Sequence, residues 1–135
     1  MKTNAYRLPG LVVTDHEFQI PLDHAVPDGE QITVFGRELV AAGKEEADLP
    51  WLAFFQGGPG FGSPRPTRKD GWLKRALQDY RVFLLDQRGT GRSTPVNYQP
   101  LARFATAQAQ ADYLKHFRAD SIVRDCELVR AQLLE

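Results

Sequence analysis

Apolar and polar residues alternate along two stretches in the first third of the chain. Residues 11–22 and 31–42 place apolar side chains at roughly every second position, and the second stretch is rich in β-branched and aromatic residues. That period is typical of half-buried strands. The sequence PDG at 27–29 favours a turn between them. The pattern predicts an antiparallel hairpin, followed by a polar surface link over residues 43–50.

Two apolar runs without polar alternation come next. Trp51–Phe55 (WLAFF) is aromatic-rich and bounded by glycines, which predicts a strand buried on both faces. Arg81–Asp86 (RVFLLD) predicts another strand. Residues 71–80 carry apolar side chains at helical spacing, and Asp70 precedes them at the position of a cap. We expect a βαβ unit with parallel strands.

The last third of the chain predicts helices. Residues 102–117 are rich in alanine and glutamine, and we expect them to be helical. Asp120 is expected to cap a second helix. One side of that helix carries apolar residues at offsets of four, three and four, namely Ile122, Cys126, Val129 and Leu133. No internal repeat or change of composition divides the chain, so residues 1–135 are interpreted as one α/β domain.

The composition of the chain limits which binding partners and which cellular location we expect. Seventeen basic residues balance seventeen acidic ones, so net charge favours neither nucleic acid nor an anionic membrane. The single cysteine cannot form an internal disulfide or a cysteine-rich metal site, which suits a reducing, cytoplasmic setting. No apolar run approaches the length of a signal-peptide core or a membrane span.

A glycine-rich loop follows each apolar run. In the first, Gly57, Gly58 and Gly60 surround Pro59, directly after Gln56. Ligands of an open α/β sheet gather beyond the carboxyl ends of its strands, where free amide groups can stabilise an oxyanion. Glycine content alone favours a simple tight turn over half of an oxyanion hole, and both interpretations stay open at this point.

The two loops do not match phosphate-binding motifs. Ser63 stands where the P-loop pattern requires lysine, and it also breaks the dinucleotide pattern that begins at Gly58. Thr94 breaks the dinucleotide pattern that begins at Gly89. Neither loop is therefore expected to bind a nucleotide.

The ordered pair of motifs resembles one enzyme family. GGPG after an apolar strand, followed by DQRGTGRS after the next, is similar to the proline iminopeptidase branch of the α/β-hydrolases. The resemblance implies a serine peptidase that releases amino-terminal proline from peptides, without metal or organic cofactor. It also implies that the chain is the amino-terminal, incomplete portion of that fold. Gln56 departs from the family, which often has histidine there.

The resemblance implies roles for residues of both loops. Gly58, with Gly57 as its neighbour, would supply an oxyanion-hole amide. The remaining loop residues would shape the site, and they are Gln56, Pro59, Gly60, Asp86, Gln87, Arg88 and Gly89. The family's nucleophile lies on a G-x-S-x-G elbow, which is absent from these 135 residues. We expect the nucleophile, acid, histidine and cap beyond Glu135, so the isolated chain is expected to be inactive.

The other reactive side chains favour structural roles. His16, His24 and His116 lack a partner in a catalytic motif, and Cys126 is expected in the core. Arg88 and Arg92 are expected to pair with nearby acids. The side chains of Arg65, Arg68 and Lys69 are expected to be solvated. Trp72 is expected to lie in the core.

Two alternatives to the peptidase remain open at the level of sequence. Related loops occur in other α/β-hydrolases, such as esterases and epoxide hydrolases. In the second alternative, the chain is a non-catalytic remnant or a binding module that pairs with a complementary piece. In that case its last parallel strand would present an uncovered edge, and self-association through that edge is expected.

Overall fold

The hairpin and both apolar runs join one mixed sheet. The computed structural model describes residues 1–57 and 60–135. Its strands are β1 (Lys2–Leu8), β2 (Leu11–Pro21), β3 (Gln31–Ala41), β4 (Trp51–Phe55) and β5 (Arg81–Asp86). Within the described residues the sheet order is β1-β2-β3-β5-β4. The antiparallel pairs are β1 with β2, β2 with β3, and β3 with β5, whereas β4 and β5 are parallel. The predicted hairpin and parallel βαβ unit are confirmed.

Helices cover both faces of this sheet. On one face, Leu73 of α1 and Leu77, the residue that follows this helix, pack with Leu39 and Leu84. On the other face, Val129 of α4 packs against a cluster that includes Phe83. The helices are α1 (Gly71–Ala76), α2 (Tyr98–Leu101), α3 (Ala107–Leu114) and α4 (Ala119–Leu133). Burial of apolar side chains on both faces gives the expected α/β class.

Strand β4 does not have the predicted burial. Ala53 and Phe55 are exposed, and the other three residues are only half-buried. Within the described residues, β4 pairs with β5 alone, so it is an edge strand. The prediction of an uncovered edge on the last parallel strand was also wrong, because β5 lies between β3 and β4. The uncovered edge belongs to β4.

Helix boundaries differ from the pattern at several points. Helix α1 ends at Ala76. The carboxylate of Asp70 pairs with Arg68 at 2.6 Å and makes no cap hydrogen bond. Residues 102–117 do not form one helix, since α3 begins only after Thr106 caps it. Helix α4 begins at Ala119, which places Asp120 in its first turn, where a negative charge is favourable.

Strand β1 was not predicted, and its composition explains why. The segment is largely exposed and carries polar residues at most positions. Its strand conformation comes from pairing with β2 along all seven residues, from Lys2 opposite Glu17 to Leu8 opposite Leu11. Pairing with a neighbour therefore determines this strand more than its own hydrophobic pattern does.

Candidate functional site

Both glycine loops leave the sheet at the same end of its strands. Phe55 at the end of β4 pairs with Leu85, the residue before Asp86 at the end of β5. The strands are parallel, so the loops that follow them are neighbours beyond their carboxyl ends. This is where an open α/β sheet places its ligands.

The structure describes the first glycine loop up to Gly57 and again from Gly60. Gly58 and Pro59 lie outside the described residues, so the proposed Gly58 amide is a prediction on which the structure says nothing. Gly57 and Gly60 are exposed, and a Cβ atom added to either would meet nothing within 4 Å. Gln56 is half-buried and lines a cavity of about 280 Å³ together with Arg65 and other residues of the loop and α1. Of the described loop residues, Gly57 and Gly60 thus face open space.

Asp86 connects the two loops. Its side chain is buried, with 2% of the residue exposed. Oδ1 accepts a hydrogen bond from the Ser63 amide at 2.7 Å, and Oδ2 accepts one from the Arg92 amide at 2.9 Å. The Ser63 hydroxyl also donates to the Leu85 carbonyl at 2.9 Å. One carboxylate thus holds the first loop against the second.

The second loop is attached to β3. The Ser93 hydroxyl donates to the Asp86 carbonyl at 2.5 Å and accepts from the Phe35 amide at 2.8 Å. Thr94 and Thr33 exchange two hydrogen bonds of 2.8 Å. The loop therefore continues the hydrogen bonding of the sheet past the last residue of β5.

Arg88 points away from the glycine loop, into the protein. Its Nε and Nη2 donate to the two carboxylate oxygens of Asp125, and both residues are buried. Its remaining hydrogens go to the carbonyls of Pro21, Leu22 and His116. These bonds use the five donors of a guanidinium group. Arg88 is therefore positioned to hold the base of the second loop rather than to contact a ligand.

Gln87 and Gly89 complete the turn of the second loop. The Gln87 carbonyl accepts from the Thr90 amide at 3.0 Å and from its hydroxyl at 2.7 Å. Gly89 adopts φ +84° and packs close to Phe117 and Val96. Both residues lie just beyond the carboxyl end of β5, on the side of the sheet where the first glycine loop also begins.

Two histidines have carboxylate partners that sequence reasoning missed. His16 lies 2.8 Å from Oε2 of Glu38, and His24 lies 2.8 Å from Oδ1 of Asp125. Burial raises the pKa of Glu38, but hydrogen bonds from His16 and Arg81 outweigh it and leave that pKa below its ordinary value. Local sequence gives no signal for these pairs, since their members are 22 and 101 residues apart.

Cys126 lies beside an apolar groove between α4 and β4. The groove has a volume of about 330 Å³ and includes Trp51, Ala53, Val129 and Leu133. Burial raises the pKa of the Cys126 thiol, so the thiol form dominates at neutral pH. Trp51 begins β4, so the groove lies at the opposite end of the strands from the glycine loops.

The described residues contain no group of three or more His, Cys, Asp and Glu side chains arranged to hold a metal. In the same part of the chain, none of the helices combines the length and the apolar character needed to cross a bilayer.

Comparison with known proteins identifies relatives of this segment. No protein-family model matches the chain. Proline iminopeptidase of Aeromonas sobria is 58% identical over 129 residues, a match that covers 95% of this chain and 30% of that protein. Proline iminopeptidase aneH of Aspergillus aculeatus is 43% identical over 124 residues, covering 90% of this chain and 28% of that protein.

The chain thus spans about three tenths of the length of the curated relatives it matches. The match extends over nearly all of the hairpin, both glycine loops and the final helix. By this similarity, the chain belongs to the proline iminopeptidase family, within the α/β-hydrolases.

Proposed function

We propose that this chain is the part of a serine peptidase that supplies the oxyanion loop, and that the complete enzyme releases amino-terminal proline from peptides. The observation that carries the proposal is 58% identity over 95% of the chain to a proline iminopeptidase. Both glycine loops follow the carboxyl ends of neighbouring strands, and this arrangement supports the proposal. Backbone amides placed there can stabilise the oxyanion that forms in acyl transfer.

In this proposal the amides of Gly58 and Gly57 stabilise the oxyanion that forms when the prolyl peptide bond is attacked. The side of the site is shaped by Gln56, Pro59, Gly60 and the turn Asp86–Gly89. The nucleophile, acid and histidine come from sequence outside these 135 residues, which contain no G-x-S-x-G elbow. No metal or organic cofactor takes part.

A chimera tests the activity. The 129 matching residues of the Aeromonas sobria enzyme are replaced by those of this chain, and release of the chromophore from a chromogenic prolyl amide is measured. We expect the chimera to hydrolyse the amide and the 135-residue chain alone to be inactive. A folded chimera that cleaves only an ester or an epoxide would contradict the proposal, as would proline release by the isolated chain.

A matched pair of variants at Gly57 tests the oxyanion role within the chimera. Gly57→Pro removes the amide hydrogen, whereas Gly57→Ala keeps it and places its Cβ in open space. We expect Gly57→Pro to lower kcat about 100-fold or more, which is the usual effect of losing one oxyanion donor. Gly57→Ala should stay close to the parent chimera. Equal activity of both variants would show that this amide is not a donor.

We also propose a reducing, cytoplasmic location, which the single cysteine supports. For the isolated segment we propose self-association through the edge of β4, which is supported by the apolar groove beside that edge.

A further inference from the structure

We propose that Asp86 is a positioning residue, whose buried carboxylate sets the position of the oxyanion loop by binding the amides of Ser63 and Arg92. The inference rests on the proposed function for its catalytic consequence but not for its geometry. The carboxylate does not contact the oxyanion position in this proposal. It acts through the loop that carries the amide donors.

The first argument is that both ends of the loop are attached to the same short segment. Phe55 pairs with Leu85 at the end of β4, and Ser63 binds the carbonyl of Leu85 and the carboxylate of Asp86. Phe55 and Ser63, which flank the loop, are therefore attached to neighbouring residues of β5. In this proposal, a shift of Ser63 would move the loop and change the direction of its amide donors.

The second argument is that the surrounding backbone leaves room for this carboxylate. A Cβ atom on Gly91 would lie 2.2 Å from Oδ2 of Asp86, and one on Gly62 would lie 2.9 Å from Oδ1. These distances are shorter than any normal contact. Gly62 and Gly91 therefore let two stretches of main chain approach one acid from opposite loops, which explains two glycines that the oxyanion role leaves unused.

The third argument concerns charge. An ionised carboxylate only accepts hydrogen bonds, so both of its oxygens can receive an amide hydrogen at once. An asparagine of the same shape presents one oxygen and one NH₂ group, and the NH₂ group would face an amide hydrogen. Asp86→Asn should therefore release one of the two loops with little change of volume.

Amide hydrogen exchange in the 135-residue chain tests the geometry. In the parent chain the Ser63 and Arg92 amides should exchange at least about tenfold more slowly than the Thr67 amide, which has no hydrogen-bond partner in the part of the chain that the structure describes. Asp86→Asn should accelerate one or both about tenfold to a hundredfold. Asp70→Asn is the matched control, since that acid is exposed and pairs with Arg68 rather than with the Ser63 or Arg92 amide.

The parent chain alone can overturn the inference, even if Asp86→Asn does not fold. Ser63 and Arg92 amides that exchange as fast as the Thr67 amide would exclude the two hydrogen bonds. Unchanged protection of both amides in a folded Asp86→Asn variant would also overturn the inference. Neither outcome depends on enzyme activity.

Kinetics of the active chimera test the consequence. Asp86→Asn should lower kcat for the prolyl amide about tenfold to a hundredfold with KM changed less than about threefold, because a misplaced donor weakens transition-state binding most. Asp70→Asn should change neither constant. A folded Asp86→Asn chimera with unchanged kcat, or with a rise in KM alone, would overturn the positioning role. An inactive parent chimera would contradict the proposed function and leave the exchange test to decide the geometry.

Discussion

Glu38 is a carboxylate that two neighbouring strands share. It lies on β3, where Oε2 is 2.8 Å from Nε2 of His16 on β2 and Oε1 accepts from Arg81 on β5 at 2.6 Å. All three side chains are largely removed from water. A charged Glu38 is favoured here because the partners outweigh the cost of burial.

The pH dependence of stability follows from the lowered pKa of Glu38. A folded-state pKa below the unfolded one stabilises the fold above the unfolded value of 4.5, and this stabilisation is lost as pH falls through the folded value. The difference in unfolding free energy between the parent and Glu38→Gln should therefore be at its full value above about pH 5 to 6 and shrink as pH falls below about 4.5.

Urea unfolding at several pH values measures this difference. Glu46→Gln is the control, because Glu46 is exposed and has no partner within the described residues. A difference for Glu38→Gln that grows toward low pH would contradict the prediction.

At the scale of elements, Arg88 joins four parts of the fold. It lies in the loop after β5 and binds the end of β2, the connection between α3 and α4, and Asp125 within α4. A buried ion pair is costly to form, so its hydrogen bonds must be complete to offset the loss of water. Here the elements themselves supply the acceptors.

Arg88→Lys should therefore destabilise the fold although it keeps the charge. A lysine ammonium group cannot reproduce the planar fork that binds both oxygens of Asp125 and three carbonyls. We expect the free energy of unfolding to fall by about 3 kcal/mol, which is typical of a broken buried pair. Urea denaturation measures it, with the exposed Arg75→Lys as a control that leaves the midpoint unchanged. An Arg88→Lys midpoint equal to the parent's would contradict the prediction.

Local pattern predicted the elements better than their arrangement. The hairpin, β5 and the parallel unit follow from residues that are close in sequence, and the GGPG and DQRG motifs led to the correct family. The order of the strands does not follow from local pattern. The apolar sequence of β4 predicted a strand buried on both faces, but its burial depends on its place in the sheet, and that place is at the edge. The links from Asp86 to Ser63 and from Arg88 to Asp125 join residues 23 and 37 positions apart. No local pattern encodes such contacts.

At the scale of the whole molecule, the edge strand β4 lies beside an apolar groove. Within the described residues, β4 pairs with a strand on one side only, and the groove beside it is lined mainly by apolar side chains. Edges of this kind are templates for association, and natural proteins often protect them with lysine.

Ala53→Lys should reduce self-association of the 135-residue chain. Ala53 is exposed on β4 and lines the groove, so a lysine there puts a charge on the apolar surface. Sedimentation at increasing concentration should show larger species for the parent and mainly monomer for Ala53→Lys. Ala111→Lys on the exposed face of α3 is the matched control and should behave like the parent. Equal association of all three would contradict a role for this edge.

The position of β5 between β3 and β4 also has a consequence for synthesis. Ribosomes produce β4 before β5, yet β5 is the strand to which β4 pairs. The β1-β2-β3 meander can form as it emerges, whereas the residues of β4 must wait until Asp86 has left the exit tunnel. During that interval WLAFF is an unpaired aromatic segment on the nascent chain, the kind of sequence that chaperones bind.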